Sequence, residues 1–236
     1  MHIQNSIALV TGANRGLGKA LVDELLRQGA KKVYAAARHP TPSSDPRIVP
    51  LRLDVTDPDQ VAQAAAVASD ATIVVNNAGS HSGAGILDGD VPAVRADLET
   101  NFFGIVSVAR AFAPILAANG GGALLNILSV RSWLSGGDGY SAAKAAAWSA
   151  TNALRVALRP AGTLVTGLHV GYMDTDMTAG LDVAKADPRD VARQAVDALR
   201  EDRTEVLADD VTRTVKRALA GDLALLYPAA QYDSLT

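Results

Sequence analysis

The chain has 236 residues, of which 48% are hydrophobic and 20% charged, a composition that suits an α/β fold with a substantial core and argues against disorder. A net charge of −3 gives no reason to expect binding to nucleic acid or to an acidic membrane, and the lack of cysteine excludes disulfides, thiolate catalysis and cysteine-ligated metals. The N-terminus has no signal-peptide pattern, and no run approaches the roughly 18 apolar residues of a membrane span, so we expect a soluble, cytoplasmic protein.

The first predicted elements are a short buried strand at 6–10, a glycine-rich turn and an amphipathic helix. The turn reads Thr11-Gly12-Ala13-Asn14-Arg15-Gly16-Leu17-Gly18. Glycines allow a backbone to approach a ligand closely, and the N-terminus of a helix offers free N–H groups to a phosphate. Strand, turn and helix together predict the phosphate-binding turn of a dinucleotide site, and the alternative is a tight turn with nothing bound.

The second predicted strand, 32–37, ends at Arg38. In a dinucleotide-binding fold this strand end meets the adenosine ribose, where an acidic residue favours NAD and an arginine accommodates the 2′-phosphate of NADP. No Asp or Glu lies between Lys31 and His39, and Arg15 offers a second positive charge. These residues predict NADP(H) as the cofactor, whereas a solvated charge at a strand end is the alternative for Arg38.

Strands and helices are predicted to alternate through the rest of the chain. The remaining strands are predicted at 48–53, 71–75, 123–129, 163–170 and 205–208, the third with a late start because of Pro50. The remaining helices are predicted at 58–68, 92–118, 140–159, 188–200 and 212–220. About seven alternations predict a Rossmann-like doubly wound parallel sheet with helices on both faces, in a single domain over 1–236.

Two polar features fall where such a fold binds ligands. Asn76-Asn77-Ala78-Gly79 follows the fourth strand, at the carboxyl edge of the sheet. Asn101 lies inside the long helix although asparagine is a poor helix former, so it is either a satisfied interior amide or a deliberate disturbance. Gly104 nearby indicates close packing or a local irregularity.

Tyr140 and Lys144 lie four residues apart at the start of an alanine-rich helix. They therefore share one face, about one turn apart. A cation near a phenol favours the phenolate and lowers its pKa, which suits an acid or base working near neutral pH. The same spacing occurs on many ordinary helices, so the pair gains meaning only from the residues around it.

Taken in order, these motifs make the chain resemble the classical short-chain dehydrogenase/reductase (SDR) family over essentially its whole length. The motifs are Thr11–Gly18, Asp54-Val55, Asn76–Gly79, Asn101, Asn126–Ser129 and Tyr140-x-x-x-Lys144. The resemblance implies an NADP(H)-dependent oxidoreductase, a carbonyl reductase that interconverts a ketone or aldehyde and its alcohol. It also implies a small-molecule substrate and a homodimer or homotetramer, without nucleic-acid or membrane partners.

The resemblance also implies roles for individual residues. Tyr140 would be the general acid or base, Lys144 would hold the nicotinamide ribose, Ser129 would hydrogen-bond the substrate oxygen, and Asn101 would position a water near Lys144. The implied cofactor-binding residues are Gly12, Asn14, Arg15, Gly16, Leu17, Gly18, Arg38, Asp54, Val55, Asn77, Ala78, Gly79, Tyr140, Lys144, Gly171, Met173 and Thr175. The implied substrate contacts are Ser129, Trp133, Tyr140 and Tyr172, with Ser80, His81, Met173 and Met177 also positioned to shape the pocket, and no metal site is expected.

Three departures from the family pattern concern the substrate pocket. The spacing from Ser129 to Tyr140 is two residues shorter than usual, which leaves Ser132 and Ser135 as less favoured alternatives to Ser129. Val170-Gly171 replaces the usual Pro-Gly, so that turn is less restrained. The segment from Thr175 to Pro188 is short, which predicts an open pocket.

Two other interpretations compete with a carbonyl reductase. A non-catalytic NADP-binding sensor or scaffold would keep the glycine turn but tend to lose the tyrosine or the lysine. The extended epimerase or dehydratase branch of the superfamily has longer chains and a different glycine spacing. The alanine-rich faces of the helices that carry Asn101 and Tyr140 favour close packing between subunits, and the apolar tail 223–227 is expected to join an interface or to fold back on the core.

Overall fold

Seven parallel strands form one sheet in the order β3-β2-β1-β4-β5-β6-β7 within residues 1–228, which the computed structural model describes. The strands are β1 Ile7–Thr11, β2 Lys32–Ala37, β3 Ile48–Arg52, β4 Ile73–Asn76, β5 Ala123–Ile127, β6 Leu164–His169 and β7 Glu205–Leu207. The helices are α1 Gly16–Arg27, α2 Pro58–Val67, α3 Val91–Leu98, α4 Gly104–Ala118, α5 Gly139–Leu158, α6 Pro188–Arg200 and α7 Asp210–Ala218. Residues 229–236 of the predicted domain lie outside the described part of the chain.

Each face of the sheet is covered by its own set of helices. Val10 of β1 packs with Leu21 of α1 and Val196 of α6 on one face. The next residue back, Leu9, packs with Phe112 of α4 on the other face, in a cluster that includes α2. Successive strand residues point to opposite faces, so a strand buried on both sides reads as a continuous apolar run. The predicted Rossmann-like doubly wound sheet is confirmed.

The edge strand β3 corrects one predicted boundary. Pro50 was expected to delay the start of the strand, yet β3 begins at Ile48 and Pro50 pairs with Ala35 of β2. The missing N–H of a proline costs nothing on the open side of an edge strand, and β3 has a neighbour on one side alone.

The long helix predicted over 92–118 is interrupted at Asn101. A π-helical turn, Glu99–Phe103, separates α3 from α4, and Asn101 is fully buried within it. Directly after the turn, Gly104 lies so close to Val55 that a Cβ at position 104 would sit 2.7 Å from its Cγ2. Of the two interpretations of Asn101, the structure supports the local disturbance, and π-helical turns are frequently found at functional sites.

The segment Val91–Ala118 corrects the expectation that no run is long and apolar enough to span a membrane. By length and composition alone, this stretch could cross a bilayer. The side of this stretch that carries Phe112 and Leu116 is almost completely buried against the sheet, whereas Val91 and Phe103 are exposed. The buried side packs as a core helix does.

The connectivity of the sheet locates the site. The chain adds β2 and β3 on one side of β1 and then crosses back to place β4 on the other side. The strand order therefore reverses between the neighbouring strands β1 and β4. In open α/β sheets a ligand crevice forms beyond the carboxyl ends of the strands at such a reversal. The glycine turn after β1 and the Asn77 segment after β4 both lie there.

Candidate active site

The glycine turn is fixed to the neighbouring strand end by Thr11 and Asn77. The Thr11 hydroxyl accepts hydrogen bonds from the backbone N–H groups of Asn77 (3.0 Å) and Ala78 (2.9 Å). In return, Nδ2 of Asn77 donates to the carbonyl oxygens of Thr11 (2.8 Å) and Gly12 (3.2 Å). Motif comparison selected Asn77 and Ala78, but Thr11, which holds both in place, was missing from the predicted site residues.

Glycine is required by the shape of the turn. Gly12 and Gly16 have φ values of 65° and 53°, in the left-handed region that favours glycine. A Cβ at Gly18 would lie 2.1 Å from the carbonyl oxygen of Gly12, and one at Gly16 would lie 3.2 Å from Cγ2 of Thr175. The turn is therefore compact, and the segment after β6 lies directly beside it.

Two arginines flank the turn. Arg15 forms an ion pair of 2.6 Å with Asp176, and the two side chains are 76% and 72% exposed, so solvent screens the attraction. Arg38 is exposed at the end of β2 and forms no ion pair within residues 1–228. Asn14 connects the turn to this strand end, since its Nδ2 donates to the carbonyl oxygen of His39 (2.7 Å). The two guanidinium groups are thus held by segments that contact each other.

Most of the other predicted cofactor residues follow the carboxyl ends of β3 and β6. Asp54 accepts hydrogen bonds from the N–H and hydroxyl of Thr56, and Val55 packs beneath Gly104. The N–H of Gly171 donates to Oδ2 of Asp209 (2.6 Å), and Met173 bridges to Ala186. Leu17 is buried in the core, so its backbone is the part that can face a ligand.

Tyr140 and Lys144 occupy the first turns of α5. The carboxylate of Asp138 caps this helix by accepting from the N–H of Ser141 (2.8 Å). Lys144 is buried, its Nζ donates to the carbonyl oxygen of Ile127 at the end of β5 (2.9 Å), and it lies 5.5 Å from the centre of the Tyr140 ring. The predicted pair therefore shares one face and is anchored to the strand that precedes Ser129.

Burial controls the titration of this pair. Burial raises the pKa of Tyr140 to about 12, although the Ser129 hydroxyl and the Arg131 guanidinium both oppose the rise. Burial also lowers the pKa of Lys144 to about 8. The expected lowering of the phenol pKa is therefore outweighed by burial. At neutral pH Tyr140 is a protonated phenol and Lys144 is mostly an ammonium.

Asn101 faces Lys144 across Gly79. Its Nδ2 donates to the carbonyl oxygens of Ser80 (2.8 Å) and Asp97 (2.9 Å), whereas its buried Oδ1 has no hydrogen-bond partner among the described residues. A Cβ at Gly79 would lie 3.0 Å from this Oδ1 and 4.0 Å from Nζ of Lys144. A buried acceptor without a partner is costly, so this oxygen is suited to bind a polar group beside the ammonium.

Two further polar side chains lie near Tyr140. The His81 ring lies 4.9 Å from the Tyr140 ring, centre to centre, and its Nε2 is 3.3 Å from Oδ2 of Asp138. The carboxylate of Asp97 is fully buried and accepts from the N–H (3.0 Å) and hydroxyl (2.7 Å) of Ser82. Sequence reasoning missed Asp97, because a carboxylate inside a helix gives no signal of its burial.

Ser129 is the one of the three candidate serines whose hydroxyl lowers the pKa of Tyr140. This hydroxyl donates to the carbonyl oxygen of Val170 (3.4 Å) and accepts from the N–H of Arg131 (3.1 Å). Ser132 is buried, and its hydroxyl accepts the backbone N–H of Ser129, the N-cap of the short turn, while Ser135 is exposed farther along the loop. Ser129 therefore remains the favoured candidate.

The structure does not make Trp133 available to a substrate as expected. The side chain is 8% exposed, one ring face stacks on His169 at 3.8 Å, and the ring meets Trp148 edge-on at 6.1 Å. Burial lowers the pKa of His169 to about 4, so this stack is formed by a neutral imidazole. Tyr172, by contrast, is 40% exposed directly after β6 and is free to contact a ligand.

Comparison with known proteins shows similarity over most of the chain. The family model described as short chain dehydrogenase matches residues 6–186. An uncharacterized oxidoreductase of Staphylococcus saprophyticus is 28% identical over 85% of this chain and 94% of its own. The 1-deoxy-11-beta-hydroxypentalenate dehydrogenase of Streptomyces exfoliatus is 32% identical over 96% of this chain and 84% of its own.

A solved structure is similar throughout. The crystal structure of a short chain dehydrogenase from Burkholderia cenocepacia J2315, in complex with NADP, superposes with a TM-score of 0.91 at 36% identity. The alignment covers 98% of this chain and 100% of that one.

Proposed function

This chain belongs to the short-chain dehydrogenase family and is an oxidoreductase, and on this basis we propose that it interconverts a ketone or aldehyde and its alcohol by hydride transfer with NADP(H). The observation that carries the proposal is the cluster of Tyr140, Lys144 and Ser129 at the carboxyl edge of the sheet. The named activity of the Streptomyces relative, a dehydrogenase of a hydroxy compound, supports the same reaction class.

The residues at the crevice fit NADP(H). The turn from Gly12 to Gly18 has the close backbone approach that a pyrophosphate needs, at the N-terminus of α1. Arg15 and Arg38 would bind the 2′-phosphate, and the Burkholderia structure holds NADP. The backbone at Gly171 and Met173, together with Thr175, would contact the nicotinamide end. When bound, the cofactor supplies or accepts the hydride.

Tyr140, Ser129 and Lys144 would carry out the proton transfer. In reduction, the protonated phenol of Tyr140 donates its proton to the carbonyl oxygen, and in oxidation the phenolate takes the proton of the alcohol. The Ser129 hydroxyl donates a hydrogen bond to the same oxygen, where negative charge develops. Lys144 stabilises the phenolate that remains and holds the nicotinamide ribose. Asn101 Oδ1 would bind the water that carries a proton to Lys144.

The cofactor preference can be tested at Arg38. We expect Arg38→Asp to raise the Kd of NADPH about 10- to 100-fold, because a charge-assisted hydrogen bond of about 1.5–3 kcal/mol is lost and a repulsion is added. NADH binding should change little. The measurement is cofactor fluorescence titration with both coenzymes, in the wild type and in Arg159→Asp, which makes the same charge change at an exposed arginine after α5. Equal affinity of the wild type for NADPH and NADH would contradict the assignment.

The remaining expectations are part of the same proposal. We propose a cytoplasmic homodimer or homotetramer, supported by exposed apolar side chains beside α4 and on α5, such as Phe103 and Val156. Tyr172 is the proposed substrate contact that the structure leaves exposed. A non-catalytic NADP-binding sensor would bind the cofactor equally well, but no carbonyl compound would be turned over.

A further inference from the structure

Arg131 is a cation next to the proposed reaction centre for which the proposed mechanism has no use. It lies in the short 3₁₀ turn Val130–Ser132, two residues after Ser129, whose hydroxyl accepts its backbone N–H at 3.1 Å. The loop that carries Arg131 continues to Tyr140 and is bonded to the loop after β4, since the N–H of Ile86 donates to the carbonyl oxygen of Gly137 (2.8 Å). Arg131 thus belongs to the wall between the two proposed catalytic hydroxyls.

Gly136 makes room for the guanidinium. A Cβ at this position would lie 2.0 Å from Nη1 and 2.5 Å from Cζ of Arg131. The N–H of Gly136 donates to the hydroxyl of Ser141 (2.9 Å) in the first turn of α5. The guanidinium is therefore folded back over the loop, toward the start of the helix that carries Tyr140.

The guanidinium of this half-buried side chain has no counter-ion in the part of the chain that the structure describes. Within residues 1–228 it makes no side-chain hydrogen bond and no ion pair, although its five N–H groups are all donors. The two carboxylates that act on Tyr140 have other partners: Asp138 accepts hydrogen bonds from Ser141 and contacts His81, and Asp97 accepts from Ser82. A partly desolvated cation without a partner is unfavourable, so this position is suited to an anion brought by a ligand.

The guanidinium of Arg131 lies close to the start of α5, because it rests against Gly136, whose N–H bonds to Ser141, the residue after Tyr140. The guanidinium favours the phenolate of Tyr140 and so opposes the rise in the pKa of that phenol. This position and this charge together place Arg131 beside a substrate whose carbonyl oxygen contacts the phenol.

We propose that Arg131 binds a carboxylate on the substrate, so that the enzyme acts on carbonyl compounds that are also carboxylic acids, and on the corresponding hydroxy acids. This inference rests on the proposed function. A guanidinium fork matches the two oxygens of a carboxylate, and a single unpaired cation matches a single negative charge. A phosphate would need a second cation, but Lys144 is assigned to the nicotinamide ribose and His81 is bonded to Asp138.

The test uses matched acids and esters. The probes are unbranched methyl ketones that end in a carboxylate, from 4-oxopentanoate to 8-oxononanoate, each compared with its methyl ester under NADPH. The variants are Arg131→Met, which keeps the length of the side chain without its charge, Arg131→Lys, and the distant control Arg159→Met. NADPH binding by each variant checks that the fold is intact.

We expect the wild type and Arg159→Met to favour the acid over the ester for at least one chain length. In Arg131→Met, the ratio of kcat/KM for that acid to kcat/KM for its ester should fall about 10- to 100-fold, because any effect of the lost charge on Tyr140 is shared by the two substrates. The ratio for Arg131→Lys should lie between those of the wild type and Arg131→Met. An acid-to-ester ratio that is the same in the wild type and in Arg131→Met overturns the inference.

Failure of the proposed function is distinguishable from failure of this inference. If no probe is turned over, binding of each acid and ester to the complex of protein and NADPH is measured by quenching of NADPH fluorescence. Tighter binding of an acid that is lost in Arg131→Met supports the carboxylate site without the reaction. Equal binding of acid and ester by the wild type overturns the site.

Discussion

Replacing Tyr140 by phenylalanine is expected to lower kcat for NADPH-dependent ketone reduction by about 10³-fold or more, because the general acid is removed. The ring stays, and with it the contact to His81 at 4.9 Å, so the fold and the affinity for NADPH should change little. Steady-state kinetics and a fluorescence titration with NADPH measure the two quantities separately.

The matched control for this variant is Tyr34→Phe. It removes the same hydroxyl from a tyrosine of β2 that bonds to Val67 and Asp70 near the end of α2, outside the proposed site, and it should leave kcat within a few-fold of the wild type. Normal turnover by Tyr140→Phe would remove this phenol from the reaction, whatever the cofactor affinity.

Lys144→Met is expected to lower kcat by about 10²- to 10³-fold, since the phenolate loses its stabilising cation. Loss of stability should not explain the effect. A buried ammonium that hydrogen-bonds to a single carbonyl oxygen is expensive to desolvate, and methionine fills a similar volume without charge. The melting temperature should therefore be unchanged or higher, and Lys31→Met, at an exposed lysine before β2, serves as the control.

The pH profile identifies the lysine more specifically. Burial lowers the pKa of Lys144 to about 8, so the ammonium is present below this pH and is lost as the pH rises through it. We expect kcat/KM for ketone reduction to fall above about pH 8 in the wild type and in Lys31→Met. The activity that remains in Lys144→Met should lack this limb, and a limb that persists there would have to be assigned to another group.

Most of the fold could be predicted because it depends on local patterns. Strands buried on both faces appear as apolar runs such as 71–75, and α6 begins at Pro188 and ends at Arg200 as predicted, with a proline at its start. The missed features depend on position in the finished sheet. Pro50 is tolerated because β3 is an edge strand, and the π-helical turn at Asn101 has no periodic signal of its own.

In the candidate site, too, short local motifs were predictable and features that depend on tertiary packing were not. The glycine turn and the pair of Tyr140 and Lys144 are short motifs, so the sequence located them directly. The burial of individual side chains could not be predicted from such motifs. Burial raises the pKa of Tyr140 instead of lowering it, stacks Trp133 on His169, and leaves Asp97 fully buried and bonded to Ser82. These outcomes depend on which loops meet, and the loop from Ser129 to Tyr140 departs from the family pattern.

Hydride transfer itself is measured most directly by following deuterium. NADPH that carries deuterium at the reactive C4 position is incubated with the protein and a panel of aliphatic, aromatic and cyclic ketones, including keto acids, and the alcohols are examined by mass spectrometry. We predict deuterium at the carbinol carbon with the wild type, and about 10³-fold slower transfer with Tyr140→Phe although NADPH binds. Binding of NADPH by the wild type without deuterium in any alcohol, or transfer that Tyr140→Phe does not slow, would contradict the proposed reaction.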